Sequence, residues 1–182
     1  QHFRRLYLQL IDNYLDFVQM MPVHLSEPLG GLLQEGLRHA FLAVQLLIDT
    51  SEKTPDPLYT YAVFSMAILA DVVKVMETMR VMISNEKGTF IREWCPFNGS
   101  LKAQDAQYYK LRAYDGHAEA LLHAANPILA KQLMPEEGMA WIASDSHMLD
   151  IWLACLTGHE DWAGELGHLK KLLKALIDEK RA

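Results

Sequence analysis

The stretch Tyr61-Ala62-Val63-Phe64-Ser65-Met66-Ala67-Ile68-Leu69-Ala70-Asp71-Val72-Val73-Lys74-Val75-Met76 decides the fold. Read as a helix it is apolar around most of its circumference, and such a helix is packed on several sides. The pattern predicts one central helix from about Leu58 to Met79. Asp71 sits in its middle, and an unpaired carboxylate inside a core is costly, so it needs water, a cation partner or a metal. Lys74, one turn on, is placed to pair with it. The residues thus predict a central core helix with an internal ion pair.

On the N-terminal side, Phe3, Leu6, Tyr7, Leu10, Tyr14, Phe17, Val18 and Met21 keep helical spacing over five turns, and Pro22 is expected to end that helix. The loop to Gly30-Gly31 carries His24. A second helix follows with Leu33, Leu37, Ala40, Phe41, Val44, Leu47 and Ile48 on one face, while Glu35, Arg38 and His39 lie off the centre of that face. A polar connection, Asp49 to Pro57, leads into the central helix.

Beyond it, Arg80–Ser84 and Thr89–Trp94 read as two short strands around Asn85-Glu86-Lys87-Gly88, a hairpin over about 80–94. Helices are expected to resume near Ala103. Pro127 is expected to break or kink the pattern, and Pro135-Glu136-Glu137 to open a short helix. Ser146 and Gly158 are the expected cap and stop of the next helix. The last helix carries Leu166, Leu169, Leu172, Leu173, Leu176 and Ile177. The fold class is all-α, a helical bundle with one small β-hairpin, formed by one domain over 1–182.

The 182 residues suffice for one domain with a sizeable core. No run of eighteen apolar residues occurs, so no membrane span is expected. A first residue other than Met is expected for a processed chain or a piece cut from a longer one. Cys95 and Cys155 form no CxxC unit and read as free thiols of a reducing compartment, which places the chain in the cytoplasm. The net charge of −6 argues against a broadly basic nucleic-acid surface but allows a local patch. Tyr108-Tyr109-Lys110-Leu111-Arg112, with Tyr114, mixes basic and aromatic residues. That mixture can stack bases and touch phosphates; the same residues also fit a helix with a tyrosine on its core face. His117-Ala118-Glu119 resembles half of a zinc deaminase signature, but no Pro-Cys-x-x-Cys follows. HExxH, P-loop and Gly-x-Ser-x-Gly patterns are absent. His159-Glu160-Asp161 reads as a solvated helix start. His39, His123, His147 and His168 read as surface or satisfied interior histidines.

Three pieces occur in order: Leu29-Gly30-Gly31-Leu32-Leu33, Leu69-Ala70-Asp71-Val72-Val73-Lys74, and Trp94-Cys95-Pro96-Phe97-Asn98-Gly99-Ser100-Leu101. With Tyr108–Arg112, His117, Gly138-Met139-Ala140-Trp141-Ile142 and Leu156-Thr157-Gly158, the set resembles the N-terminal HD-type domain of the TraI-like (MobH-class) conjugative relaxases of plasmids and integrative conjugative elements. The resemblance covers about Phe17 to Leu169. It implies a bacterial HD-domain bundle, DNA and other conjugation proteins as partners, and a divalent-metal pocket.

The chain departs from that pattern at the metal. Only His24 stands in the loop expected to be rich in histidine. Glu35 takes the place of a histidine ligand, and Ala70-Asp71 that of the His-Asp pair. The late Asp falls near Lys171 or Leu172 in register. Asp71 survives, with His117 and His24 as auxiliaries. Hydrolysis at a divalent site needs several converging N and O ligands and a metal-bound water. The expectation is therefore a vestigial pocket of Glu35, Asp71, Lys74, His117 and His24 that holds no cofactor. The alternative is a metal-dependent nuclease or phosphohydrolase with remodelled ligands. The space left by Ala70 is either filled by Met66, Met76 and Met79 or kept open. An acidic pocket repels phosphate, so any nucleic-acid contact is expected elsewhere, around Lys102, Tyr108, Lys110 and Arg112.

Overall fold

The computed structural model describes residues 2–77, 79–114 and 119–179. At its centre is α3 (Pro57–Leu69), which begins where Asp56 Oδ1 accepts the Leu58 and Tyr59 amides at 2.9 and 3.0 Å and Pro57 takes the first helical position. Tyr61, Ala62, Val63, Met66, Ala67, Ile68 and Leu69 are all buried. Around α3 pack α2 (Gly31–Thr50), α6 (Glu136–Ala143) and α7 (Ser146–Leu156); α8 (Gly164–Glu179) lies against α2 and α7. The first helix, α1 (Gln9–Val18), follows a π-helical turn at Arg4–Leu8 and packs on α2 and α5 (Glu119–Leu133). Trp152 of α7, fully buried, donates its indole N–H to Ser65 Oγ at 3.1 Å, so the polar atoms of both side chains are satisfied inside the core.

The central helix does not run on to Met79. At Leu69 the regular ladder gives way to a tightened turn, in which the Val72, Lys74 and Met76 amides bond to carbonyls three residues back, Leu69, Asp71 and Val73, at 3.2, 3.0 and 2.9 Å. A four-residue helix, α4 (Lys74–Glu77), follows. The adjacent β-branched Val72 and Val73 crowd a regular helix, and both are buried. The backbone groups this break releases are collected by Asn126 of α5, which is 1% exposed. Its amide N–H group donates to the carbonyls of Leu69, Ala70 and Leu156 at 3.2, 3.0 and 3.3 Å, and its oxygen accepts the Val73 N–H at 3.1 Å. The helix α5 continues through Pro127 rather than breaking there.

The expected hairpin forms, as β1 (Met79–Ser84) and β2 (Phe90–Glu93), but it is part of a three-stranded antiparallel sheet. The third strand, β3 (Tyr108–Ala113), pairs with the other edge of β1, from Met79↔Ala113 to Ser84↔Tyr108. Instead of a helix resuming near Ala103, a single 3-10 turn at Lys102–Gln104 leads into this strand. The physical signal is a period of two: Tyr109 and Leu111 are half-buried, whereas Tyr108, Lys110 and Arg112 are exposed. The mostly helical architecture stands; its β component is larger than expected.

Smaller differences fall at element ends. α1 stops at Val18 with Gln19 at φ +44, before Pro22 is reached. Asp145 rather than Ser146 caps α7, accepting the Met148 amide at 3.1 Å. Gly158, at φ +77, takes the left-handed conformation expected of the stop. The segment Pro57–Glu77 is long and apolar enough to cross a membrane by length and composition, but 61% of that window is buried among the other helices.

Asn126→Leu is expected to lower the unfolding free energy by about 3 kcal/mol, because it removes the side-chain partner of the Val73 N–H and of the Ala70 and Leu156 carbonyls. Urea denaturation measures it. A loss below about 1 kcal/mol would mean that the tightened turn is satisfied without Asn126.

Candidate functional site

Two elements bring charge together beside α3. Glu35 lies on the inner face of α2, 8% exposed, and His39, one turn later, is 9% exposed. The backbone can come this close because position 36 is glycine: a Cβ there would run into the Tyr14 ring and hydroxyl. Tyr14 itself donates to the Leu32 carbonyl at 2.9 Å. Burial, with Asp71 and Glu35 nearby, pushes the Tyr14 hydroxyl far above the ordinary tyrosine range, so it remains a neutral donor. The tightened turn supplies Asp71, and the first residue of α4 supplies Lys74.

The Lys74 ammonium sits between the two carboxylates, 3.0 Å from Glu35 Oε2 and 3.3 Å from Asp71 Oδ2. The His39 ring lies between the same pair, Nδ1 at 3.6 Å from Asp71 Oδ2 and Nε2 at 4.0 Å from Glu35 Oε1. Burial pulls the Lys74 ammonium down, but the nearby Asp71 and Glu35 charges outweigh it and hold its pKa above the ordinary lysine value. These residues line a cleft of about 340 Å³ whose floor includes Met66, Ala70, Leu156 and Leu173. On its far side, Lys170 of α8 pairs with Glu160 at 2.6 Å and donates to the Cys155 carbonyl at 2.6 Å. His123, Lys174 and Asp178 also line the cleft. Burial raises the Cys155 thiol to about 11, so it stays protonated at neutral pH.

Of the expected pocket residues, the structure brings Glu35, Asp71 and Lys74 together. His24 is exposed in the loop before α2 and does not line the cleft. His117 lies outside the described residues. Met66 lines the cleft without filling it, whereas Met76 and Met79 lie toward the sheet. His39 and Asp178 stand outside the expected pocket set. His39, read as a surface or satisfied interior histidine, is buried beside the expected Glu35, and their spacing of four on one helix is the available signal. Asp178 brings a late carboxylate to the cleft, while Lys171 pairs with exposed Asp161 and Leu172 lines a different groove. No signal other than helical spacing along α8 pointed to Asp178.

The donor set does not fit a divalent metal. The ammonium of Lys74 already stands where the Glu35 and Asp71 carboxylates converge, and Ala70 offers no ligand atom. Among the described residues, no group of three His, Cys, Asp or Glu side chains is arranged to hold a metal ion.

The expected nucleic-acid residues divide differently. Tyr108, Lys110 and Arg112 alternate along β3 and share its outward face. Lys102 stands apart on its 3-10 turn, paired with Asp16 at 3.3 Å. In register, Arg112 faces Arg80, Lys110 faces Met82, and Tyr108 faces Ser84, which faces Phe90 on its other side. Arg80 is held by Glu93 at 2.7 Å and lies 3.8 Å over the Tyr114 ring. Among the described residues, neither Lys110 nor Arg112 makes an ion pair. Phe90, 57% exposed, is the aromatic that the sequence reading missed on this face.

Lys74→Met leaves two carboxylates facing each other and is expected to cost about 2 kcal/mol at neutral pH, discounted because Asp71 is partly exposed. The sign at high pH follows from the raised folded-state pKa. The Lys74 contribution is fully present below the unfolded value of about 10.4 and is lost as pH rises through the folded value. Urea midpoints of wild type and Lys74→Met should therefore converge as pH rises through the folded-state value; a constant gap would remove Lys74 as the source.

No curated protein matches the chain. The family model TraI_2, described as "Putative helicase", matches residues 1–176. By that match the chain belongs to the TraI-like family of conjugation-related, relaxase- or helicase-like proteins.

Proposed function

We propose that the chain is a non-catalytic HD-like domain over residues 1–182, acting in the bacterial cytoplasm in DNA processing and complex assembly for a conjugation or integrative-element system. The observation that carries this reading is Lys74: a covalently attached cation occupies the point between Glu35 and Asp71 that a catalytic metal would need. A metal-bound water is the nucleophile that such sites generate, and an ammonium cannot supply one. Protein purified without chelator should accordingly carry no stoichiometric Mn, Fe, Ni or Zn.

The outward face of the sheet supports the DNA part of the reading. It sets Arg80, Lys110 and Arg112 against the single carboxylate of Glu93 in a chain of net charge −6. The paired Arg112 and Arg80 are like charges opposite one another, an arrangement that costs energy until an anion sits between them. Tyr108, 47% exposed, and Phe90 flank Ser84 at the hairpin end. Exposed rings beside unpaired cations suit an unpaired strand, whose bases stack while its phosphates meet the lysine and arginine.

Fluorescence anisotropy with a labelled single-stranded oligonucleotide tests this. Lys110→Glu with Arg112→Glu should abolish binding, and raising salt should weaken the wild type steeply. Asp71→Asn should leave binding intact. Binding that ignores both salt and charge reversal would overturn the sheet as the DNA contact, and the absence of any binding at low salt would leave assembly alone as the role.

A further inference from the structure

α2 is apolar over a wider arc than the core covers. Its buried side is Leu32, Glu35, Gly36, His39, Ala40, Ala43 and Leu47. A second apolar line, Leu37, Phe41, Val44 and Ile48, runs along the neighbouring side at heptad-like spacings of four, three and four. Phe41 is 67% exposed and Ile48 54%; Leu37 and Val44 are half-buried at the edge of the core. Isolated exposed apolar residues need no explanation, but a continuous helical line of them marks a contact surface.

The line has the symmetry of a self-contact. Leu37 and Ile48 are equally distant from the point between Leu42 and Ala43, and so are Phe41 and Val44. A two-fold axis through that point lays Leu37 on the partner's Ile48 and Phe41 on the partner's Val44, as an isologous interface requires. The same axis acts on the charges beside the line. Arg38 and Asp49 lie on the same flank, both exposed, and neither makes an ion pair among the described residues; Asp49 accepts only from Gln45 on its own helix. In an antiparallel pair, equal flanks face each other with direction reversed. Arg38 then falls within two residues of the partner's Asp49, about 3 Å along the axis at 1.5 Å per residue. The reciprocal pair forms at the other end.

We propose that α2 is a self-association element: two copies of the chain pair antiparallel along Leu37, Phe41, Val44 and Ile48, with Arg38–Asp49 contacts at both ends. Phe41 is the central aromatic anchor and the charge pairs fix the antiparallel direction. One helix per copy gives a contact at the small end of stable interfaces, so the dimer depends on concentration. This inference is independent of the DNA reading, since it uses neither the sheet nor the cleft.

Sedimentation velocity on the full chain, from about 1 to 100 µM, tests it. The wild type should shift from monomer to dimer across that range. Phe41→Glu with Ile48→Glu should remain monomeric with unchanged circular dichroism, because both side chains are exposed in the monomer. Arg38→Asp alone should weaken the dimer about tenfold, and adding Asp49→Arg should restore it. A wild type that is monomeric at the highest concentration would overturn the proposal. So would a dimer that survives Phe41→Glu with Ile48→Glu, or a charge swap that fails to restore association.

Discussion

The structure depends on one break in one helix. Had α3 continued regularly through Ala70, Asp71 and Val73, its backbone groups would have satisfied each other. The tightened turn instead releases the Ala70 carbonyl and the Val73 N–H inside the molecule, where an unpaired polar group is costly. Asn126 is the only side-chain partner those groups have among the described residues, and it also takes the Leu156 carbonyl at the end of α7. A single buried amide thereby ties α3, α5 and α7 at one point. The turn it holds carries Asp71 and sets the start of α4, and so it fixes Lys74 against Glu35.

The cleft that results is electrostatically closed. Glu35 and Asp71 share Lys74, and Glu160 is met by Lys170. These three carboxylates therefore each have a cation within hydrogen-bonding reach. In a low-dielectric setting such arrangements hold side chains in one geometry even where their net contribution to stability is modest. A mobile metal would have to displace a tethered ammonium from two carboxylates, and the tether keeps that ammonium at high local concentration. The open volume beside it is a consequence of Ala70, which fills little space, and of Met76 and Met79 being committed to the sheet side.

Periodicity disclosed the helices well because their apolar faces meet neighbours along their whole length. It disclosed less where contacts are non-local. Tyr108–Ala113 carries a period of two, but its partner is β1, more than twenty residues earlier, and nothing local distinguishes a half-buried strand from a short amphipathic helix turn. The break after Leu69 is not legible locally because the side chain that satisfies its freed backbone groups, Asn126, lies in another helix. The Lys74–Asp71 pair was legible because it is local. The apolar pattern of α2 sets Glu35 and His39 off the centre of its expected buried face, because the most apolar arc is the one a pattern marks for burial. The structure buries an arc shifted toward Glu35 and His39 and leaves Phe41 and Ile48 outside. Apolar residues mark surfaces that prefer cover, and the sequence does not say whether the cover comes from the same chain.

The distribution of unbalanced groups separates the parts of the molecule. In the cleft the charges largely cancel, so it projects little field beyond its rim, and screening at physiological ionic strength shortens that reach to about 8 Å. On the sheet, Lys110 and Arg112 have no counter-charge among the described residues, and Glu93 is paired with Arg80. A polyanion approaching a chain of net charge −6 therefore meets its strongest local attraction at the sheet. The unsatisfied apolar line lies on α2, a different element. Charge that lacks a partner and apolar surface that lacks cover are thus held on separate elements, so each can be engaged without disturbing the other or the tightened turn that holds the core together.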